Sequence, residues 1–229
     1  MTRRLILLRH GQTHYNATMR MQGQLDTELS ERGRAQAAAA AKAIAPRGPR
    51  AIYSSDLARA MVTAEELAAV AGLPVHPDRR LRETDLGTWQ GMSHLEVDEQ
   101  WPGARGVWRS TPTWRPSGGE TRLEVARRAR SLVDELVAEI DHWGKHPVVL
   151  VAHGGAIAAL TAALLELPVS HFALFNGLGN TAWAQLSSHP RADDNPPADD
   201  AAVPPEGDAA RAVLWRLDAW NVAPHLETR

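Results

Sequence analysis

Two histidines occupy matching positions in this chain. Leu5-Ile6-Leu7-Leu8 runs into Arg9-His10-Gly11-Gln12-Thr13, and Val148-Val149-Leu150-Val151-Ala152 runs into His153-Gly154-Gly155. Both apolar runs read as core strands, so each imidazole stands where a strand ends and a helix begins. There the ring and the free backbone N–H groups of the next turn, Gly154 among them, can face one anion. Arg9 sits beside the first ring, and Asn16 and Arg59 come from further segments. A phosphoryl group in transfer spreads negative charge over its equatorial oxygens, which two forked guanidiniums and helix-terminal N–H groups match in charge and shape. An unprotonated His10 could attack phosphorus and form a phosphohistidine, dividing one difficult hydrolysis into two displacements. A cationic His153 would then stabilise the group in flight. The leaving alkoxide needs a proton, and Glu83, in the loop after strand-like Val75-His76, is the carboxyl best placed by context. Such an acid next serves as base for the incoming water.

These groups converge only if the elements behind them alternate, because βα repetition brings strand carboxyl ends to one edge of a parallel sheet. The first strand covers about residues 3–8. Ser30 caps an alanine-rich helix to about Ala45, and residues 50–54 form a second strand. Asp56 is the expected cap of the next helix, whose face of Leu57, Ala60, Met61, Ala64, Leu67, Ala68 and Ala71 has 3.6-residue periodicity. Residues 82–119 lose that periodicity, hold Trp89, Trp101, Trp108 and Trp114, and read as an insertion over the ligand edge with one short helix near 93–100. Packing is the expected role of Trp89; Trp108 and Trp114 are open. Thr121 and Glu124 form a capping box for a long helix, and a further helix follows from Gly154 to about Leu165. Two more strands are expected at 181–187 and 212–218. Between them, residues 189–210 are rich in Pro, Asp and Ala without apolar anchors and predict a mobile loop.

At 229 residues, 44% of them hydrophobic, the chain can bury one sizeable core, and a single domain over residues 1–229 is expected. A net charge of −2 gives no overall cationic field, which disfavours nucleic acid and leaves phosphate to a local cluster. The absence of cysteine excludes disulfides and thiolate chemistry. No stretch reaches the length of a membrane span or a signal-peptide core, so no membrane partner and a cytoplasmic location are expected. His10 and His14 have the spacing of a helical metal pair, but His10 belongs to a strand end, and a metal site is disfavoured. His14, His76, His94, His142, His146, His171, His189 and His225 read as surface or packing residues.

Taken singly, each candidate has an ordinary explanation: a strand-end histidine satisfied in the core, a surface arginine, a solvated loop carboxylate. The ordered set is more specific. Leu8 to Thr13 with Asn16, Leu29-Ser30-Glu31-Arg32-Gly33, Ser54 to Ala60, Leu81-Arg82-Glu83, Gly118-Gly119-Glu120 and Val151 to Gly155 resemble, in order, the motifs of the histidine phosphatase superfamily, in its phosphoglycerate mutase-like branch. The resemblance implies a three-layer α/β/α sandwich with a mostly parallel sheet. It also implies His10 as phosphorylated nucleophile, a phosphate pocket of Arg9, Arg59 and His153, Glu83 as proton donor, Asn16 and Gln22 as ligand contacts, and no metal or cofactor.

Within that family, residues 81–91 look like the phosphatase form rather than the mutase form. A narrower resemblance over residues 21–30, 102–105, 152–167 and 215–221 implies a glucosylated phosphoglycerate as substrate and a homodimer. The alternatives are a broad-specificity sugar-phosphate phosphatase, a mutase that shields its phosphohistidine from water, or a regulator that binds phosphate without catalysis.

Overall fold

A computed structural model of the chain describes residues 2–140, 143–192, 195–198 and 200–224. His142, His225 and residues 193, 194 and 199 of the expected loop lie outside the described residues. In chain order the elements are β1 (Arg3–Arg9), α1 (His14–Ala17), α2 (Glu31–Ile44), β2 (Ala51–Ser54), α3 (Ala58–Ala71), β3 (Val75–Pro77), α4 (His94–Gln100), α5 (Ala104–Ser110), α6 (Arg122–Glu139), β4 (Val148–Ala152), α7 (Gly154–Leu164), β5 (Trp183–Pro190), α8 (Asp208–Arg211) and β6 (Val213–Val222).

The six strands form one sheet in the order β3-β2-β4-β1-β5-β6. β3, β2, β4 and β1 run parallel, and β5 is antiparallel to both its neighbours. Alternate side chains of the central strands enter two cores. Leu5, Leu7, Val148 and Leu150 pack with Leu132, Val133, Leu136, Ile157 and Leu160 of α6 and α7. Ile6, Leu8, Val149 and Val151 pack with Ala40, Ile44, Ala60, Ala64 and Leu67 of α2 and α3. A sheet covered on both faces has no solvated side, so its central strands are apolar throughout. This is the expected three-layer α/β/α sandwich.

Helix ends follow the sequence signals with one exception. Ser30 caps α2 through Gly33 N at 3.1 Å, and Thr121 with Glu124 closes the capping box of α6. Asp56 does not cap α3. Its carboxylate is held by Arg82 at 2.7 and 2.6 Å, and the N–H of Ala58 donates instead to Asp26 at 2.8 Å. A bidentate charged pair outbids a neutral N–H for the same oxygens.

The insertion holds two helices, α4 and α5, rather than one. Trp89 is buried at the centre of a satellite core, with Trp101, Trp108 and Trp114 around it at ring separations of 6.3, 6.0 and 5.5 Å. The stretch 189–210 is also corrected, since it begins inside β5, ends inside α8 and has an apolar anchor. Val203 is buried against Phe172 and Ala159, while Arg130 donates to Val203 O at 3.0 Å and Glu206 N donates to Asp134 at 3.0 Å. Arg191 pairs with Glu166, whose second oxygen accepts from Ala198 N at 3.1 Å.

Candidate active site

Strand register brings the histidines together. Arg9 pairs with Ala152 and Ser54 with Val151, so the next residues, Ser55, His153 and His10, leave three adjacent parallel strands side by side. The ladder continues through Ser55 N to Val151 O at 2.9 Å and His10 N to Ala152 O at 3.0 Å. Both imidazoles are buried, their centroids 5.0 Å apart in an edge contact. The turn after His10 can pack onto α2 only because Gly11 and Gly33 lack side chains. A Cβ on Gly11 would lie 2.3 Å from Gly33 O.

Hydrogen-bond partners fix the proton positions. Nδ1 of His10 is 2.7 Å from Gly11 O, and a carbonyl only accepts, so Nδ1 carries the hydrogen and Nε2 keeps its lone pair. Nδ1 of His153 instead accepts from Arg59 Nε at 3.2 Å, which leaves its Nε2–H to donate to Ser55 Oγ at 2.9 Å. Burial holds both rings well below the ordinary imidazole pKa, and the charge of Arg59 acts in the same direction on each. Both rings are therefore neutral at neutral pH. The expected cationic His153 is corrected: a buried ring among guanidiniums, accepting from one of them, does not hold a second proton.

Arg59, in the first turn of α3, is buried and donates to Leu25 O and Gly23 O at 2.7 Å each. Burial lowers its pKa to about 10, against the attraction of Glu83 and Asp26, so it stays charged at neutral pH. Arg9 donates to Leu178 O, and its buried Nε has no hydrogen-bond partner among the described residues. Asn16 Oδ1 accepts from Thr13 N and Asn180 Nδ2 at 3.1 Å each. The amide oxygen of Gln22 accepts from Thr13 and Thr27 hydroxyls at 2.9 and 2.7 Å, which turns its NH2 to the other side.

Glu83 lies at the amino end of α7. Its Oε1 accepts from Thr84 N and Ala156 N at 2.8 and 2.9 Å, and Oε2 from Gly155 N at 3.0 Å. A Cβ on Gly155 would sit 2.6 Å from Oε1, so the glycine makes the space this carboxyl occupies. Behind it, Arg128 donates to the carbonyls of Arg80, Arg82 and Glu83 at 2.8, 2.7 and 2.9 Å. Glu120 holds that guanidinium by two bonds of 2.9 Å. Arg128 and Ser55 were not among the expected site residues.

A cavity of about 230 Å³ opens over these groups, lined by Arg9, His10, Asn16, Gln22, Arg59, Glu83 and Gly155, and also by Arg20, Thr84, Leu86, His94 and Trp108. Two expected contacts do not line it. His153 stands fully buried behind Arg59, and Gly154 packs against the Arg9 side chain. His94, expected as a surface or packing residue, does line it. A larger depression of about 670 Å³ lies over Arg4, Arg47, Pro147 and Gln185, near the amino ends of β1 and β4, and holds none of these groups. Among the described residues, no three His, Asp or Glu side chains are grouped to hold a metal ion.

The family model described as histidine phosphatase superfamily (branch 1) matches residues 5–194. The chain belongs to the histidine phosphatase superfamily. This histidine phosphatase is 55% identical over 225 residues to a glucosyl-3-phosphoglycerate phosphatase of Mycolicibacterium vanbaalenii, across 96% of this chain and 95% of that one. It is 52% identical over 231 residues to a protein of the same name from Mycobacterium tuberculosis, across 99% and 97% of the two chains. The solved structure of a mycobacterial glucosyl-3-phosphoglycerate phosphatase complexed with VO3 matches it with a TM-score of 0.86 at 52% identity, over 96% of this chain and 100% of that one.

Proposed function

We propose that this histidine phosphatase hydrolyses glucosyl-3-phosphoglycerate to glucosylglycerate and phosphate through phospho-His10. The observation that carries the mechanism is the Nδ1 bond of His10 to Gly11 O, which leaves Nε2 as the nucleophilic atom in a cavity walled by Arg9, Arg59 and Glu83. Nε2 attacks phosphorus, the ester P–O bond breaks, and a protonated Glu83 gives its proton to the leaving alkoxide. The resulting carboxylate takes a proton from water, which attacks the phosphohistidine and releases phosphate. Arg9 and Arg59 balance the charge on the equatorial oxygens, with Asn16 and Gln22 as polar contacts, while His153 and Gly154 support the two arginines from behind. Attack, charge balance and proton transfer are all supplied by side chains, so the reaction is proposed to need no metal or cofactor. The substrate assignment is supported by the names of relatives that align over nearly the whole chain.

A panel of phosphomonoesters tests this reading. Phosphate should be released fastest from glucosyl-3-phosphoglycerate, with activity retained in a chelator. Equal rates on unrelated sugar phosphates would favour a broad phosphatase, and interconversion of 3- and 2-phosphoglycerate faster than phosphate release would favour a mutase. Glu83→Gln should slow turnover by about 10²- to 10⁴-fold, as expected for loss of a general acid. A loss under threefold would remove Glu83 from the mechanism. A cytoplasmic location is proposed, and a homodimer is proposed on resemblance, which light scattering tests. No helix among the described residues is long and apolar enough to cross a membrane.

A further inference from the structure

The catalytic cavity does not end at the phosphate groups. A second compartment of about 190 Å³ shares Thr84, Trp108 and Gly155 with it and continues to Arg109, Arg122 and Phe175. Arg122 is placed there against two structural preferences. It is the first residue of α6, where the helix dipole is already positive and a cation is disfavoured. It is partly buried, yet makes no hydrogen bond or ion pair with the described residues, and its guanidinium stacks on the Trp108 ring at 5.3 Å. The carboxylate of Glu83 attracts it without forming an ion pair, and Glu124 in the same turn is taken by Arg115 at 2.9 Å and by Thr121 N at 2.7 Å. A stacked guanidinium with unspent N–H donors on this wall forms a site for a planar anion.

We propose that Arg122 recognises the carboxylate of the substrate and sets the specificity of this phosphatase for phosphorylated sugar acids. The assignment rests on the glucosyl-3-phosphoglycerate reading. In that molecule the carboxyl carbon is bonded to C2, next to the C3 that carries the phosphate ester. With phosphate over His10, the carboxylate turns outward past Thr84 and Trp108 into the second compartment. Arg122 takes its two oxygens with a forked pair of N–H donors, and the Trp108 ring behind it holds the guanidinium in place.

The test compares kcat/KM on glucosyl-3-phosphoglycerate with kcat/KM on glucosylglycerol 3-phosphate, which has CH2OH in place of the carboxylate. In Arg122→Met the ratio of the two should fall about 10- to 100-fold, the worth of hydrogen bonds to a charged group. Arg122→Lys, which keeps the charge without the fork, should recover part of it. Arg122→Gln, which keeps a polar side chain without the charged fork, should lower the ratio by a similar factor, and it decides the matter if Arg122→Met does not fold. A wild-type enzyme that prefers the carboxylate substrate, with variants that keep that preference, would overturn the role of Arg122 alone. A wild-type enzyme indifferent to the carboxylate would overturn the substrate reading and this assignment together.

Discussion

His10 and His153 leave adjacent parallel strands, are equally buried and lie among the same arginines, yet their Nδ1 atoms meet opposite partners. Gly11 O accepts from one and Arg59 Nε donates to the other. The first ring therefore points a lone pair from Nε2, and the second spends Nε2–H on Ser55. Burial and net charge are the same for both, so neither divides the labour. The group opposite Nδ1 does, and it makes His10 a nucleophile and His153 a support for Arg59.

The largest effect expected from this contrast is in the nucleophile. His10→Ala should lower kcat by about 10⁴-fold or more and abolish any acid-labile phosphoenzyme. His153→Ala should form the phosphoenzyme still, with a loss nearer about 10²-fold from a displaced Arg59. Rapid quench with labelled substrate distinguishes the two. A phosphoenzyme that survives in His10→Ala and disappears in His153→Ala would reverse the assignment.

Much of this arrangement was legible in the chain because the signals are local. The apolar runs at 5–8 and 148–152 announce strands covered on both faces, and βα alternation brings their ends to one edge. The proton position on the His153 ring was not legible, since it depends on Arg59, a residue 94 positions away. Asp56 misled for a related reason: a cap is a local signal, and Arg82 arrives from outside the helix to take the carboxylate. Arg128 gives no signal at all, because on α6 it looks like its neighbour Arg127 until the backbone of residues 80–83 passes beneath it. The insertion hid α5 because that helix starts at Gly103 with no side-chain cap. In residues 189–210 the anchors are Val203 and two alanines, and their partners lie on α6, on α7 and beyond it, too sparse a pattern for composition to show.

Acid should act on the two rings alike. Both imidazole pKa values are depressed in the folded protein, chiefly by burial. The unfolded chain takes up protons on these rings below about pH 6.5, while the folded one does not. Their contribution is thus complete at neutral pH and is lost as pH falls from about 6.5 toward the folded values. Each ring adds a slope of at most about 1.4 kcal/mol per pH unit. Urea denaturation between about pH 7 and pH 5 should be less pH-sensitive in His10→Asn and in His153→Asn, by similar amounts. If only one substitution flattens the slope, the other ring is already protonated in the native state, and the equality of charge assumed in the comparison fails.

The smallest effect isolates the far side of His153. Ser55 Oγ is the acceptor that holds Nε2–H, and Ser55→Ala leaves that buried N–H without it, at a cost of about 1 kcal/mol. Turnover should fall about fivefold, because a ring that rocks no longer steadies the Arg59 guanidinium against the phosphate oxygens. Phosphorylation of His10 should persist, since Gly11 O still fixes its tautomer. Unchanged turnover would show that Arg59 alone orients His153. A loss as large as that of His10→Ala would instead place the Ser55 hydroxyl on the reacting phosphate, and the three strand ends would then share the chemistry that the two histidines are held to divide.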